Sequence, residues 1–137
     1  GYHSYWGTRF TDNGYYCTLG TDDALHYEMR ALLSWDAHFV NKGLYPKYLF
    51  TEGGPIYIDE NGSMPNAYGG WKKPETLNGD VSELVRQYKL FDDIVQEWNS
   101  KHGNRARGLA GFIFGSFSEW GPFDVEGEVA MSLAEVL

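Results

Sequence analysis

Apolar positions along this chain change their spacing several times, and each change marks a new element. Gly1-Tyr2-His3-Ser4-Tyr5-Trp6 reads as a strand from its first residue. A polar, turn-rich loop follows, with Asp12-Asn13-Gly14 as its clearest turn signal. From Thr21 or Asp22 the period becomes helical, with Leu25, Met29, Leu32, Phe39 and Val40 on one side. Asp22, Asp23 and Glu28 load its first turns with negative charge, and Lys42-Gly43 ends it. Leu44 to Lys47, with Pro46, separate that helix from a short buried strand, Tyr48-Leu49-Phe50. A long loop rich in Gly, Pro, Asn and Tyr runs from Gly53 to Gly79. Asp80 then opens a second helix, with Glu83 completing a capping-box pattern. Its buried stripe is Val81, Leu84, Val85, Tyr88, Phe91, Val95 and Trp98, and His102-Gly103 stops it. Leu109 to Gly115 is a nearly continuous apolar run, as expected of a strand covered on both faces. Glu128 to Leu137 reads as the start of a third helix.

The order is strand, loop, helix, repeated three times. Such an order implies parallel strands joined by right-handed crossovers. Links after helices are short, whereas those after strands are long and carry the polar and aromatic residues. Elaborated loops on the carboxyl side of a parallel sheet point to a (β/α)8 TIM barrel, whose active site lies there. A doubly wound open sheet is the runner-up, weakened by the lack of a Gly-x-Gly-x-x-Gly after any strand. Three strands cannot close a barrel that needs ~250 residues. Residues 1–137 therefore read as one partial catalytic domain of class α/β, the sixth to eighth strand-helix units of such a barrel.

Composition narrows the partners. Of the 137 residues, 17% are aromatic, including 10 Tyr and 5 Trp, and such flat amphipathic rings suit both a core and sugar faces. A net charge of -8 argues against nucleic acid and against an anionic membrane. Cys17 stands alone, which rules out an intrachain disulfide and a cysteine metal site. No apolar stretch reaches membrane-spanning length.

Chemistry is expected at the strand tips. Phe50-Thr51-Glu52-Gly53-Gly54 presents a carboxylate at the end of a strand, and the glycines behind it free the backbone to turn and leave room for a ligand. His3 and Tyr5 are two residues apart and so share one face of their strand. The third strand leads to Glu119 and Trp120 before Gly121-Pro122. His3-x-Tyr5 on a sixth strand, Glu52 on a seventh and Trp120 after an eighth resemble the clan of retaining glycoside hydrolases that includes the family 5 cellulases and mannanases. The resemblance covers almost the whole chain.

That resemblance implies cleavage of β-linked glycosides with retention, through two carboxyl groups about 5–5.5 Å apart. Glu52 would be the nucleophile and Tyr5 would hold it charged and aimed, while His3 would orient nearby polar groups or touch the sugar. Trp120 would floor the cleavage subsite, with Trp71, Tyr68 and Glu119 as further substrate-binding candidates. The clan's acid/base lies on a fourth strand and an arginine near a second, and neither has a counterpart here. Glu119 and Asp124 are the local carboxylates available, and both read as loop or supporting residues. Alone, the chain should therefore be inactive, and it should need the rest of the barrel or associate with itself through exposed strand edges. The implied substrate is an oligo- or polysaccharide, with no cofactor. Sugar, linkage and cell location stay open, an extracellular or secreted setting being compatible with the resemblance.

Plainer readings stand beside these. Trp120 could be packing, and His3 and Tyr5 could be ordinary strand residues. Trp35 and Trp98 are expected in helix contacts, and His26 and His38 are too far apart in register to act together. Asp59-Glu60-Asn61-Gly62 lacks calcium-loop spacing, and Asp22-Asp23 and Asp92-Asp93 read as solvated pairs. His3, Glu52 and Glu119 are the residues a metal would use. Two other functions fit the pattern less well: a non-catalytic carbohydrate-binding protein, and a different barrel enzyme such as an aldolase or metal-dependent hydrolase.

Overall fold

The structure, a computed structural model, describes residues 2–7, 32–56, 70–74, 76–111 and 125–136. Within them the elements are β1 (Tyr2–Gly7), a helix α1 (residues 32–40), β2 (Tyr48–Ile56), α2 (Val81–His102), β3 (Ala106–Gly111) and α3 (Glu128–Val136). The strands form one sheet in the order β1-β2-β3, and both pairings are parallel. Strands consecutive in sequence are thus neighbours in space, and β2 is central.

Each helix end has a local cause. Gly43 takes a left-handed φ of 72°, and its N–H donates to the Val40 carbonyl, which closes α1 at the Lys42-Gly43 signal. At α2 the Asp80 carboxylate accepts the Glu83 N–H at 3.0 Å, so the expected cap is present. Its reciprocal half is not. The Glu83 carboxylate is taken by Arg86 and by Gln87, and the Asp80 N–H donates to the Leu77 carbonyl instead. Gly103, at φ 86°, ends α2, and both its N–H and that of Asn104 donate to the Asn99 carbonyl.

The core lies between the sheet and α2. Leu84, Tyr88, Phe91, Val95 and Trp98 are buried as the stripe requires, and Val81 and Val85 pack at its margin. Phe50 reaches this layer from β2, its ring edge-on to Phe91 at 5.1 Å. Leu32 of α1, Val125 just ahead of α3 and Leu133 within it join the buried cluster. Two expectations fail on α1: Trp35 is 55% exposed, and Phe39, read on the apolar side, is exposed as well. The buried positions of α1 are Leu32 and Asp36, one turn apart, and Trp35 sits to their side.

Two strands differ from their sequence reading. β2 does not end at Glu52 but continues through Gly53, Gly54, Pro55 and Ile56, paired to β1 throughout. Pro55, which has no N–H, lies beyond Gly53, the last β2 residue paired to β3. β3 starts at Ala106 rather than Leu109, paired there to Tyr48, with both backbone groups of Ala106 bonded to the Asn99 side chain. The expected strand residues 112–115 lie outside the described residues.

Candidate functional site

The site is built on the second half of β2. Register places His3 opposite Glu52, Ser4 opposite Gly53 and Tyr5 opposite Gly54. Three residues that sequence reasoning grouped for chemistry therefore occupy adjoining positions on two neighbouring strands. Glu52 lies mid-strand, with four more paired residues after it.

The ladder around Glu52 is irregular on both sides. From Phe50 to Gly53 the chain advances three residues, while β1 advances two, from Tyr2 to Ser4. β3 also advances two, from Leu109 to Gly111. One extra residue is thus accommodated at Thr51-Glu52 relative to both neighbours. A bulge of this kind releases a residue from the ladder and re-aims the chain, and bulges gather beside active sites.

The ends of the bulge are fixed by α2. Phe50, before it, packs edge-on against Phe91. Gly53, after it, accepts a buried hydrogen bond from the Tyr88 hydroxyl at 2.8 Å. Tyr88 and Phe91 are three apart and share one side of the helix. The room at Gly54 is taken up by the same contact, since an added Cβ would stand 3.0 Å from the Tyr88 oxygen.

At the other end of the strands lies a second polar cluster. Arg105 donates two hydrogen bonds to the Asp36 carboxylate, at 2.6 and 2.7 Å, and Tyr48 donates a third at 3.0 Å. Arg105 also donates from Nε to the His102 carbonyl at 2.8 Å, and its guanidinium lies 5.2 Å from the Trp98 ring centroid. His102 stacks on the same indole at 4.7 Å. The Trp98 N–H is buried without a hydrogen-bond partner. The Arg105 hydrogen bonds hold the Asp36 carboxyl below the usual carboxylate range, with the Tyr48 hydroxyl adding to the effect. Burial, then the bond to Asp36, pushes the Tyr48 hydroxyl up to about 12. This cluster ties α1 to the first residue of β2 and to Arg105 just ahead of β3, with the Asp36 carboxylate paired on both oxygens.

Among the other expected site residues, Trp71 is 4% exposed and belongs to the core cluster, so its ring is covered rather than offered to a sugar. A run of turns that carries the chain into α2 places it there, with the Gly79 N–H donating to the Trp71 carbonyl. Tyr68, Glu119, Trp120 and Asp124 lie outside the described residues, as do Cys17 and His26. His38 is exposed on α1. No group of three or more His, Cys, Asp or Glu fit to hold a metal occurs among the described residues. No helix among them is long and apolar enough to cross a membrane.

Sequence reasoning placed Tyr88 in the stripe of α2 but did not foresee its bond to Gly53. A signal was present, because a tyrosine in a buried stripe must find a partner for its hydroxyl. The Asp36–Arg105 pair gave no comparable signal. Compared with protein-family models, curated proteins and solved structures, the chain matches none.

Proposed function

We propose that this chain carries the nucleophile side of a retaining β-glycosidase, with Glu52 as nucleophile and Tyr5 and His3 as its polar neighbours. The observation that carries the reading is the register: His3 opposite Glu52, and Tyr5 opposite Gly54, on parallel neighbouring strands. A glutamate used as nucleophile must stay ionised and point at an anomeric carbon, which calls for hydrogen-bonding groups close by. Histidine and tyrosine on the adjoining strand are groups of that kind. The bulge at Thr51-Glu52 supports the reading, since bulges gather beside active sites. Consecutive parallel strands as neighbours suit the winding of a (β/α)8 barrel, of which these would be the sixth to eighth units. The acid/base in this reading comes from a strand of the barrel outside this chain. The reaction class is hydrolysis of β-linked oligo- or polysaccharide, with no cofactor.

The test is covalent trapping on the full-length product of the natural gene, using activated 2-fluoro β-glycosides of several sugars. Their leaving groups need little acid assistance, so the experiment isolates the nucleophile. The expected result is a stable adduct on the peptide containing Glu52, lost in Glu52→Gln. Turnover of ordinary β-glycosides with the adduct elsewhere would remove Glu52 from this role. Absence of reaction with every sugar would turn the reading to a binding barrel or another enzyme class.

A further inference from the structure

We propose that Tyr88 is a positioning residue for Glu52, acting through the Gly53 carbonyl. This rests on the nucleophile reading of Glu52 and deepens it. Thr51 has no partner on β1, and neither Thr51 nor Glu52 has one on β3, so the ladder holds this bulged stretch only through the pairing of Glu52 with His3. Helix α2 adds two further holds, one helical turn apart. Phe91 holds Phe50 before the bulge by an edge-on ring contact at 5.1 Å, with planes at 89°. Tyr88 holds Gly53 after it by a buried hydrogen bond of 2.8 Å. Glu52 immediately precedes the residue that Tyr88 grips. Rotation of the Gly53 peptide would lengthen that bond, and any Cβ at residue 54 would press on the same hydroxyl at 3.0 Å. Two adjoining glycines thus serve one tyrosine: the first offers a carbonyl and the second leaves room for the oxygen. Helix packing is thereby transmitted to the catalytic position without Tyr88 touching substrate.

Small displacements of a reacting group are costly, since a misplacement of about 1 Å can slow catalysis about 100-fold. The experiment is steady-state kinetics and thermal melting on the full-length protein, comparing Tyr88→Phe with Val95→Ala. Val95 is a buried α2 residue about two helical turns from Tyr88. Tyr88→Phe is expected to lower kcat about 10-fold with KM nearly unchanged, the signature of a lost alignment rather than lost binding. Val95→Ala is expected to lower Tm at least as much while keeping kcat. Gly54→Ala should also lower kcat, and the Gly54→Ala/Tyr88→Phe double variant should be no slower than Tyr88→Phe alone, because the crowded oxygen is gone. A Tyr88→Phe enzyme with wild-type kcat, or rate losses that simply multiply in the double variant, would overturn the positioning role. Glu52→Gln separates the two layers. If it stays active, the nucleophile reading falls and takes this role with it. If it is inactive while Tyr88→Phe runs at full rate, the positioning role alone is wrong.

Discussion

The two ends of β2 are held in different ways. At the amino end, Tyr48 lies among Asp36, Arg105 and Trp98, with three charge-assisted hydrogen bonds converging on one carboxylate. Its N–H also donates to the Arg105 carbonyl at 2.7 Å. In the carboxyl half, the chain around Glu52 departs from its neighbours' register and is gripped from one side by α2. The first arrangement pairs the charges it buries. The second keeps a carboxylate position beside glycines and fixes its backbone indirectly. Parallel α/β folds divide labour in this way, with stability at the amino ends of strands and chemistry at the carboxyl ends. Among the described residues, the richest polar cluster is thus a structural anchor rather than the proposed site.

The contrast can be broken experimentally. Arg105→Met should have the largest effect at the amino end, costing about 3–5 kcal/mol by denaturant unfolding, because it strands a buried carboxylate. If the proposed glycosidase reading holds, the folded fraction should keep its rate, and a selective loss of rate would erase the division between the two ends. Asn99→Ala comes next. It removes two buried side-chain bonds of 2.8 and 2.9 Å to the carbonyl and N–H of Ala106, and a loss of about 2 kcal/mol is expected.

The pH dependence is subtler and has two limbs. The folded-state pKa of Asp36 is lowered, so its contribution is present above the unfolded value of about 4 and fades as pH falls through the folded value. Tyr48 is raised from 10.0 to about 12, so its contribution is present below 10 and fades as pH rises from 10 to 12. Asp36→Asn should flatten the acid limb of a stability-pH curve and Tyr48→Phe the alkaline one. Unchanged limbs in both variants would mean that the cluster is not the anchor described.

Much of the framework was legible because short-range rules govern it. The α2 stripe follows from a 3.6-residue period, and Asp80, Gly43 and Gly103 act at helix ends as their side chains, or lack of them, dictate. Misreadings arose where another partner outweighed the one that local preference suggested. Asp36 takes a buried position that hydrophobicity would have given to Trp35, because Arg105, 69 residues away, neutralises it. Glu83 forgoes the return bond of its capping box for Arg86 and Gln87. Trp71 has the composition of a loop aromatic, yet the turns before α2 fold it into the core. At the candidate site, His3, Tyr5 and Glu52 could be named from the chain, but their mutual register could not. Pairing depends on where the bulge falls, and Thr-Glu-Gly-Gly does not announce one.

Asn99 bears on the order in which this molecule assembles. Its carbonyl receives the two N–H groups that close α2, and its side chain holds Ala106 only seven residues on. Closing so short a loop costs little entropy, so the joint can form before any long-range contact exists. Arg105, caught between the two, would then reach Asp36 as a preformed arm rather than a searching one. Asn99→Ala should accordingly act more on the folding rate than on the unfolding rate, and the reverse partition would place this joint late. A helix terminus would thus serve as the starting block from which the sheet is laid down.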